Sequence, residues 1–213
     1  MPLGHHARPT WRGRVHLIAL YLAAPSLAVL IASAASTRAR VGVCIYAVGL
    51  CSMFAVSTTY HRWVNCLRLR AIWRRADHAM IFAAIAGSTT PVVLLTVPGV
   101  RGYVLIALVW VVSIAGAACK MARWHRGDAV GSGFYAAVSV LSALTLPALW
   151  DKGGSRPAAL FIISGLVYVV GVVGFAKNVP RLRPTVFSFH EVWHVCTVIA
   201  AGAHFAAVWT IAT

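Results

Sequence analysis

Three histidines in two distant parts of the chain have the spacing of a metal site. His190 and His194 are four residues apart, so on a helix they face the same way, one turn apart, as two imidazoles that bind one ion must do. His61 lies far earlier in the chain, and Ser57, four residues before it, would stack its hydroxyl over that imidazole. Three neutral imidazoles with an open fourth position are the ligand pattern of catalytic Zn²⁺.

Acidic residues are scarce, and two of the four adjoin histidines. Asp77 immediately precedes His78, and Glu191 lies inside the run 190–194. An unpaired carboxylate near a membrane core costs several kcal/mol, so both acids are candidates for function. The other two, Asp128 and Asp151, lie in connections, and we assign them no functional role.

Uncharged apolar stretches make up most of the sequence. Of the 213 residues, 60% are hydrophobic and 11% are charged, which excludes a soluble globular domain. Windows of about 20 uncharged residues are typical of membrane helices. They predict a single all-α membrane domain over residues 1–213, a seven-transmembrane helix bundle with spans at 16–37, 41–60, 78–100, 102–119, 129–150, 157–176 and 192–213, the last extending back to about Val186.

The positive charges are concentrated on one side of these spans. Fourteen of the nineteen Lys and Arg residues lie in the N-terminus and the even-numbered connections. The positive-inside rule then predicts a cytoplasmic N-terminus and an external C-terminus. Topology thus explains the net charge of +15, and we expect membrane lipids rather than nucleic acid as partners. The oligomeric state is left open.

This topology brings the polar residues to one depth. The cytoplasmic ends of spans two, three and seven carry His61, Asp77, His190 and His194. A lone histidine at a helix end is usually a hydrogen-bonded structural residue, but three at one level beside an acid favour a metal site. His204 lies 14 residues beyond His190, about 21 Å along the helix axis, so we expect it to make an interhelical hydrogen bond instead.

The remaining histidines are expected to have no catalytic role. His78 points about 100° away from Asp77 on the same helix and is expected to pack against a neighbour or a lipid headgroup. His16 is expected in the membrane interface at the start of span one. Exposed ends or connections contain His5, His6 and His125.

Glycines and prolines inside the spans suggest close contacts and bends. Gly87 and Pro91 in span three and Pro147 in span five are positions at which helices could kink and open a cavity. Tight helix contacts within the bundle or between chains are the expected use of Gly165, Gly171 and Gly174. No span shows a polar stripe suited to line an aqueous channel.

The run 190–194 also matches the H-E-x-x-H signature, in which the Glu is the general base of a metalloprotease. Intramembrane metalloproteases take a third ligand from an Asp downstream of this motif. No acidic residue follows Glu191 in this sequence. The protease interpretation also leaves His61 and Asp77 without a role, and it remains an alternative.

Three motifs together resemble the hemolysin III branch of the progestin and adipoQ receptor (PAQR) family. They are S-x-x-x-H at 57–61, Asp77 followed by the segment up to Pro91, and H-x-x-x-H at 190–194 with Ala203-His204-Phe205. The resemblance extends over about residues 10–212, and the superfamily includes alkaline ceramidases. One departure is visible, since the family often has Thr-Tyr-Thr-Pro where this chain has Ser88-Thr89-Thr90-Pro91.

The resemblance implies a seven-helix protein with an inward N-terminus and a role for each motif residue. It implies that His61, His190 and His194 bind Zn²⁺. It also implies that Asp77 positions or deprotonates the water that the zinc would hold, and that Ser57 supports the site. In this family the residue after the first His of the last motif varies between acidic and amide types, so Glu191 is expected to support the site rather than act as a base.

The leading hypothesis is a zinc-dependent lipid amide or ester hydrolase of the cell membrane, or a sensor that retains such a site and acts in membrane homeostasis. The first alternative is a non-enzymatic receptor or homeostasis factor in which zinc is structural. A cytolysin and the H-E-x-x-H protease are further alternatives.

Overall fold

The structure, a computed structural model, describes residues 8–122 and 129–213. Most of these residues lie in eight α-helices. They are α1 (Arg14–Ser33), α2 (Thr37–Arg62), α3 (Leu67–Thr96), α4 (Gly99–Ala122), α5 (Ala129–Ala143), α6 (Leu146–Gly153), α7 (Ser155–Ala176) and α8 (Phe189–Ala212). The sequence expectations for His5, His6, His125 and Asp128 concern residues outside these ranges.

Seven segments of this part of the chain are long and apolar enough to cross a bilayer, which confirms the predicted seven-helix membrane fold. Helices α5 and α6 together form one of the seven, from Ala129 to Gly153. The break between them falls just before Pro147, which occupies the first turn of α6. Proline is tolerated there because its missing N–H would have no helical partner. The structure therefore interrupts the helix next to Pro147, where the sequence allows a kink.

Helix α3 begins earlier and is less interrupted than predicted. Its first residue is Leu67, so Asp77 lies in the third turn rather than at the start of the helix. The arginines between them do not end a helix, because Arg has high helix propensity, whereas a hydropathy window detects only the uncharged part. The helix also continues through Gly87 and Pro91 to Thr96, and both residues are buried. The structure therefore shows no interruption of α3 at these two positions.

Helices α2 and α3 approach each other closely at two glycines. A Cβ atom on Gly49 would lie 2.5 Å from the carbonyl oxygen of Ala83, and one on Gly87 would lie 3.4 Å from the Cα of Gly49. Membrane helices use small residues at such crossings because lipid provides no hydrophobic force to hold helices together. The contact fixes the positions of the two helices that carry His61 and Asp77.

We expect Gly49→Val to destabilise the bundle by about 1–3 kcal/mol, because the new side chain must push α2 away from the α3 backbone. The matched control is Gly165→Val in α7, where no atom lies within 4 Å of a Cβ. Thermal unfolding of the purified variants in detergent measures the difference. Equal melting temperatures for the two variants would show that the α2–α3 crossing is not tightly packed.

The three glycines of α7 differ in their surroundings. A Cβ on Gly171 would lie 2.7 Å from the Cβ of Cys196 in α8, so this glycine allows close packing between α7 and α8. Gly174 faces the carbonyl oxygen of Val179 in the following connection, and Gly165 faces open space. Within the bundle, Gly171 is therefore the one of these three that fits the predicted tight helix contact.

The two ends of the bundle are defined by contacts between distant segments. The backbone N–H groups of Thr10 and Trp11 donate to the carbonyls of Thr185 and Val186 at 3.1 Å. At the other end, the N–H of Ala35 donates to the carbonyl of Ala212 at 2.8 Å. We call the first of these the site end, because it contains the predicted site residues. It comprises residues 8–13 and the connections 63–66 and 177–188.

Candidate metal centre

The structure brings three histidine side chains from two helices together at the site end. His61 lies in the last turn of α2, and His190 and His194 lie in the first turns of α8. One ring nitrogen from each lies within 4.8 Å of the other two. His61 and His194 are buried, and His190 is partly buried. The convergence expected from their shared depth is therefore observed.

One pair of ring nitrogens in the cluster has a separation that suits a single metal ion. A tetrahedral site with Zn–N bonds of about 2.0–2.1 Å has neighbouring nitrogens about 3.3 Å apart. The Nε2 atoms of His61 and His190 are 3.3 Å apart. Neutral imidazole nitrogens are also ligands that several divalent transition metals accept. The cluster is therefore compatible with metal binding.

Asp77 lies beside this cluster although it comes from a third helix. Its Oδ2 atom is 3.6 Å from Nε2 of His61 and 3.9 Å from Nδ1 of His78. Ser57, one turn below His61, is close enough for its hydroxyl to interact with the same carboxylate. His78 directs Nδ1 to the carbonyl of Arg74 at 2.9 Å, so it packs against its own helix. The structure therefore groups Asp77 and Ser57 with the three histidines.

Glu191 is engaged through both of its carboxylate oxygens. Oε2 accepts a hydrogen bond from the backbone N–H of Ser188 at 2.9 Å, which forms one half of a capping box at the start of α8. Oε1 accepts a hydrogen bond from Nε of Arg12 at 2.5 Å. The Glu191 side chain is only 1% exposed. These contacts favour a supporting role, because a general base needs an oxygen that can receive a proton.

The residues before α1 form a strap over the site that the sequence analysis did not predict. We define the N-terminal strap as residues 8–13. The Arg8 side chain donates to the carbonyl of His61 at 2.8 Å and to that of Val64. Partial burial, and then the positive charge of Arg70, lower the pKa of Arg8 from its usual value. Through Arg8 at one side and the backbone of Thr10 and Trp11 at the other, the N-terminal strap connects the end of α2 with the segment before α8.

Gly13, the last residue of the N-terminal strap, lies against the candidate site. Its φ of +74° lies in the left-handed region, which glycine adopts without a steric cost. A Cβ atom at this position would lie 2.8 Å from the Cβ of His61. The positive-inside rule accounts for the nearby arginines by topology alone. Their pairing with Glu191 and with helix-end carbonyls has no signal along the chain.

The expectation for His16 was wrong. The sequence predicts a position in the membrane interface, but His16 is 3% exposed and its ring stacks on that of His194, with centroids 3.9 Å apart and planes 14° apart. Phe54 contacts the same ring, with a centroid distance of 5.1 Å. The first turn of α1 holds His16 at the site end, where it faces into the bundle. The sequence does contain one indication of this position: His16 begins span one on the same side of the membrane as His61.

The prediction for His204 is confirmed. Its Nε2 atom lies 3.0 Å from the carbonyl oxygen of Ser88 in α3, which is an interhelical hydrogen bond. Its ring also lies near those of Tyr46 and Phe161. His204 therefore has a structural partner away from the histidine cluster.

We expect Arg12→Met to destabilise the protein by about 2 kcal/mol, because a buried Glu191 carboxylate would lose its charged partner. In the double variant Arg12→Met with Glu191→Gln, part of this loss should be recovered, since the amide carries no charge. Arg14→Met is the matched control, because Arg14 is exposed. The measurement is the melting temperature in detergent. A control that melts as low as Arg12→Met would argue against the ion pair.

Comparison with known proteins agrees with the family resemblance that the sequence motifs indicate. Residues 5–205 match the family described as Haemolysin-III related. Hemolysin-3 of Bacillus cereus is 26% identical over 184 residues, which cover 84% of this chain and 80% of that protein. The Hemolysin-3 homolog of Bacillus subtilis (strain 168) is 25% identical over 194 residues, covering 89% and 87%.

A mammalian relative extends the comparison to PAQR-type proteins. The monocyte to macrophage differentiation factor of Homo sapiens is 27% identical over 170 residues, covering 78% of this chain and 68% of that protein. The seven candidate spans and these relatives make the chain a multi-pass membrane protein, and location in the plasma membrane is consistent with both. With a family match over most of its length and the three-histidine cluster in place, the chain belongs to the haemolysin-III-related family.

Proposed function

We propose that this protein is a zinc-dependent membrane hydrolase that cleaves an amide or ester bond of a lipid. One observation carries the proposal: three imidazole nitrogens lie within 4.8 Å of one another, and an oxygen of Asp77 lies 3.6 Å from one of these rings. Bound Zn²⁺ would supply Lewis acidity that polarises a carbonyl group and lowers the pKa of a water to about 7.

The side chains of the cluster have separate tasks in this proposal. His61, His190 and His194 hold the ion through neutral ring nitrogens. Asp77 accepts the proton of the attacking water at Oδ2 and returns it to the leaving nitrogen or oxygen as the acyl bond breaks. The hydroxyl of Ser57 keeps the carboxylate oriented. Proton transfer by a positioned group of this kind accelerates a reaction by about 10²–10⁴-fold.

The proposed substrate class follows from the position of the site. The cluster lies among helices at the site end, so an acyl chain could lie among the spans while its amide or ester group reaches the histidines. The positive-inside rule supports a cytoplasmic orientation for this end, where anionic headgroups meet a basic rim. The resemblance to a superfamily that includes alkaline ceramidases supports the same substrate class.

A second candidate function is a receptor or homeostasis factor in which zinc is structural. The observation in its favour is that the ligands come from α2 and α8, so one ion would join the two helices. Its binding energy would then contribute to folding rather than to chemistry. The protease alternative has less support, because both carboxylate oxygens of Glu191 are already hydrogen-bonded.

The proposal is tested with purified zinc-loaded protein and a panel of N-acyl and O-acyl lipids in detergent micelles. We expect fatty acid release that falls by at least about 100-fold on chelation, as expected for loss of metal-assisted catalysis, and returns on adding Zn²⁺. Mass spectrometry of the released acid is the measurement. A zinc-loaded protein that is inert toward the whole panel would count against hydrolase activity. Because His204 lies away from the cluster, His204→Gln is the control and should retain turnover.

A further inference from the structure

A fourth histidine at the site has no partner for its ring nitrogens. His16 is 3% exposed, and within the part of the chain that the structure describes neither Nδ1 nor Nε2 has a hydrogen-bond partner. A neutral imidazole carries one N–H donor and one acceptor nitrogen. Burying both without partners costs free energy, and most buried polar groups in native proteins are hydrogen-bonded. A molecule that enters the site is the expected partner.

His16 is placed close to the centre of the candidate site. Its ring stacks on His194 with 3.9 Å between centroids, and it lies within electrostatic range of Asp77 and His61. Stacking alone does not require a histidine, because a phenylalanine would provide the same flat surface. The unpartnered nitrogens are therefore the feature that stacking leaves unexplained.

The stacked arrangement argues against His16 as a fourth ligand of the same ion. An imidazole binds a metal in the plane of its ring. With ring planes 14° apart and centroids 3.9 Å apart, the nitrogens of His16 would be too far from an ion held by His194 for a bond of about 2.0–2.1 Å. An oxygen atom next to that ion is not confined to the plane of His194, and a hydrogen bond tolerates about 2.7–3.2 Å.

We propose that His16 is a substrate-binding residue, whose ring N–H donates a hydrogen bond to an oxygen of the acyl group held at the three-histidine site. The chemical class of this ligand is an amide or ester carbonyl, or the carboxylate that hydrolysis produces. The inference rests on the proposed function, since it requires a metal at His61, His190 and His194. It adds a contact from α1, a helix that contains none of the three sequence motifs described above.

The test uses the full-length protein loaded with Co²⁺, whose visible absorption reports on its ligands, and acetohydroxamate as the probe. We expect His16→Phe, which keeps the stacking, to bind Co²⁺ like the wild type but to bind acetohydroxamate about tenfold more weakly, as for the loss of one hydrogen bond. His16→Gln, which can donate a hydrogen bond, should stay within about threefold of the wild type. His204→Phe is the control and should leave probe affinity unchanged.

The possible outcomes separate this inference from the proposed function. Unchanged acetohydroxamate affinity in His16→Phe overturns the inference, while the wild type still binds metal and cleaves lipid. Loss of Co²⁺ in His16→Phe also overturns it, because His16 would then support the metal itself. A wild-type protein that binds neither Co²⁺ nor Zn²⁺ overturns both proposals. If His16→Phe cannot be purified folded, the same comparison is made between His16→Gln and His16→Leu.

Discussion

Asp77→Asn should leave the metal in place and lower lipid hydrolysis by about 10²–10⁴-fold, the range for loss of a general base. Asparagine has the shape of aspartate and can still interact with Ser57, but its amide does not accept a proton at neutral pH. The carboxylate stands 3.6 Å from His61 and is not one of the three clustered histidines, so Asp77→Asn should still fill with zinc, with an affinity lowered by no more than the about 10–100-fold of a supporting residue. Zinc content per chain and initial rates of fatty acid release are the two measurements.

The same variant separates the two candidate functions. A receptor with structural zinc should keep both its metal and its function in Asp77→Asn, whereas a hydrolase should keep only the metal. Asp151→Asn is the matched control, because this exposed residue lies away from the cluster, in the last turn of α6 rather than in the predicted connection. Hydrolysis at the wild-type rate by Asp77→Asn would show that another group transfers the proton.

His194→Ala should lower metal affinity by more than about 100-fold, since a ligand contributes more than the supporting residues, whose loss costs about 10–100-fold. His194 is one of the three clustered histidines, so alanine removes one of the three nitrogen ligands of the proposed site. Metal binding to the folded state also stabilises it. The wild type should therefore melt at a lower temperature after chelation, whereas His194→Ala should melt at the same temperature with or without the chelator.

Metal titration by calorimetry and melting curves with and without chelator provide the measurements. His204→Gln is the matched control in the same helix, because it lies ten residues further along α8, about 15 Å away along the axis. It should keep the metal and the chelator response. Wild-type metal affinity in His194→Ala would mean that the ion, if present, is held elsewhere.

The sequence was sufficient to predict several properties that depend on position along the chain. Hydropathy predicts seven spans because a bilayer requires about 20 apolar residues for each helix. Alternating direction then assigns a depth to each residue, which is how His61, Asp77, His190 and His194 could be grouped before their distances were known. His204 could be separated from them for the same reason. The first turns of α3 were missed, because a hydropathy window stops at charged residues, whereas a helix tolerates arginines.

Contacts between helices depend on lateral position and rotation about each axis, which hydropathy leaves open. The N-terminal strap, the Arg12–Glu191 pair and the packing of His16 on His194 depend on which helices are neighbours and which faces meet. The Gly49–Gly87 crossing sets how closely α2 and α3 approach. The sequence therefore determines the residue types and their common depth, which is a position along one dimension, the membrane normal. The distances that bring three histidines and an acid into one site depend on how the helices pack in the other two dimensions, in the plane of the membrane.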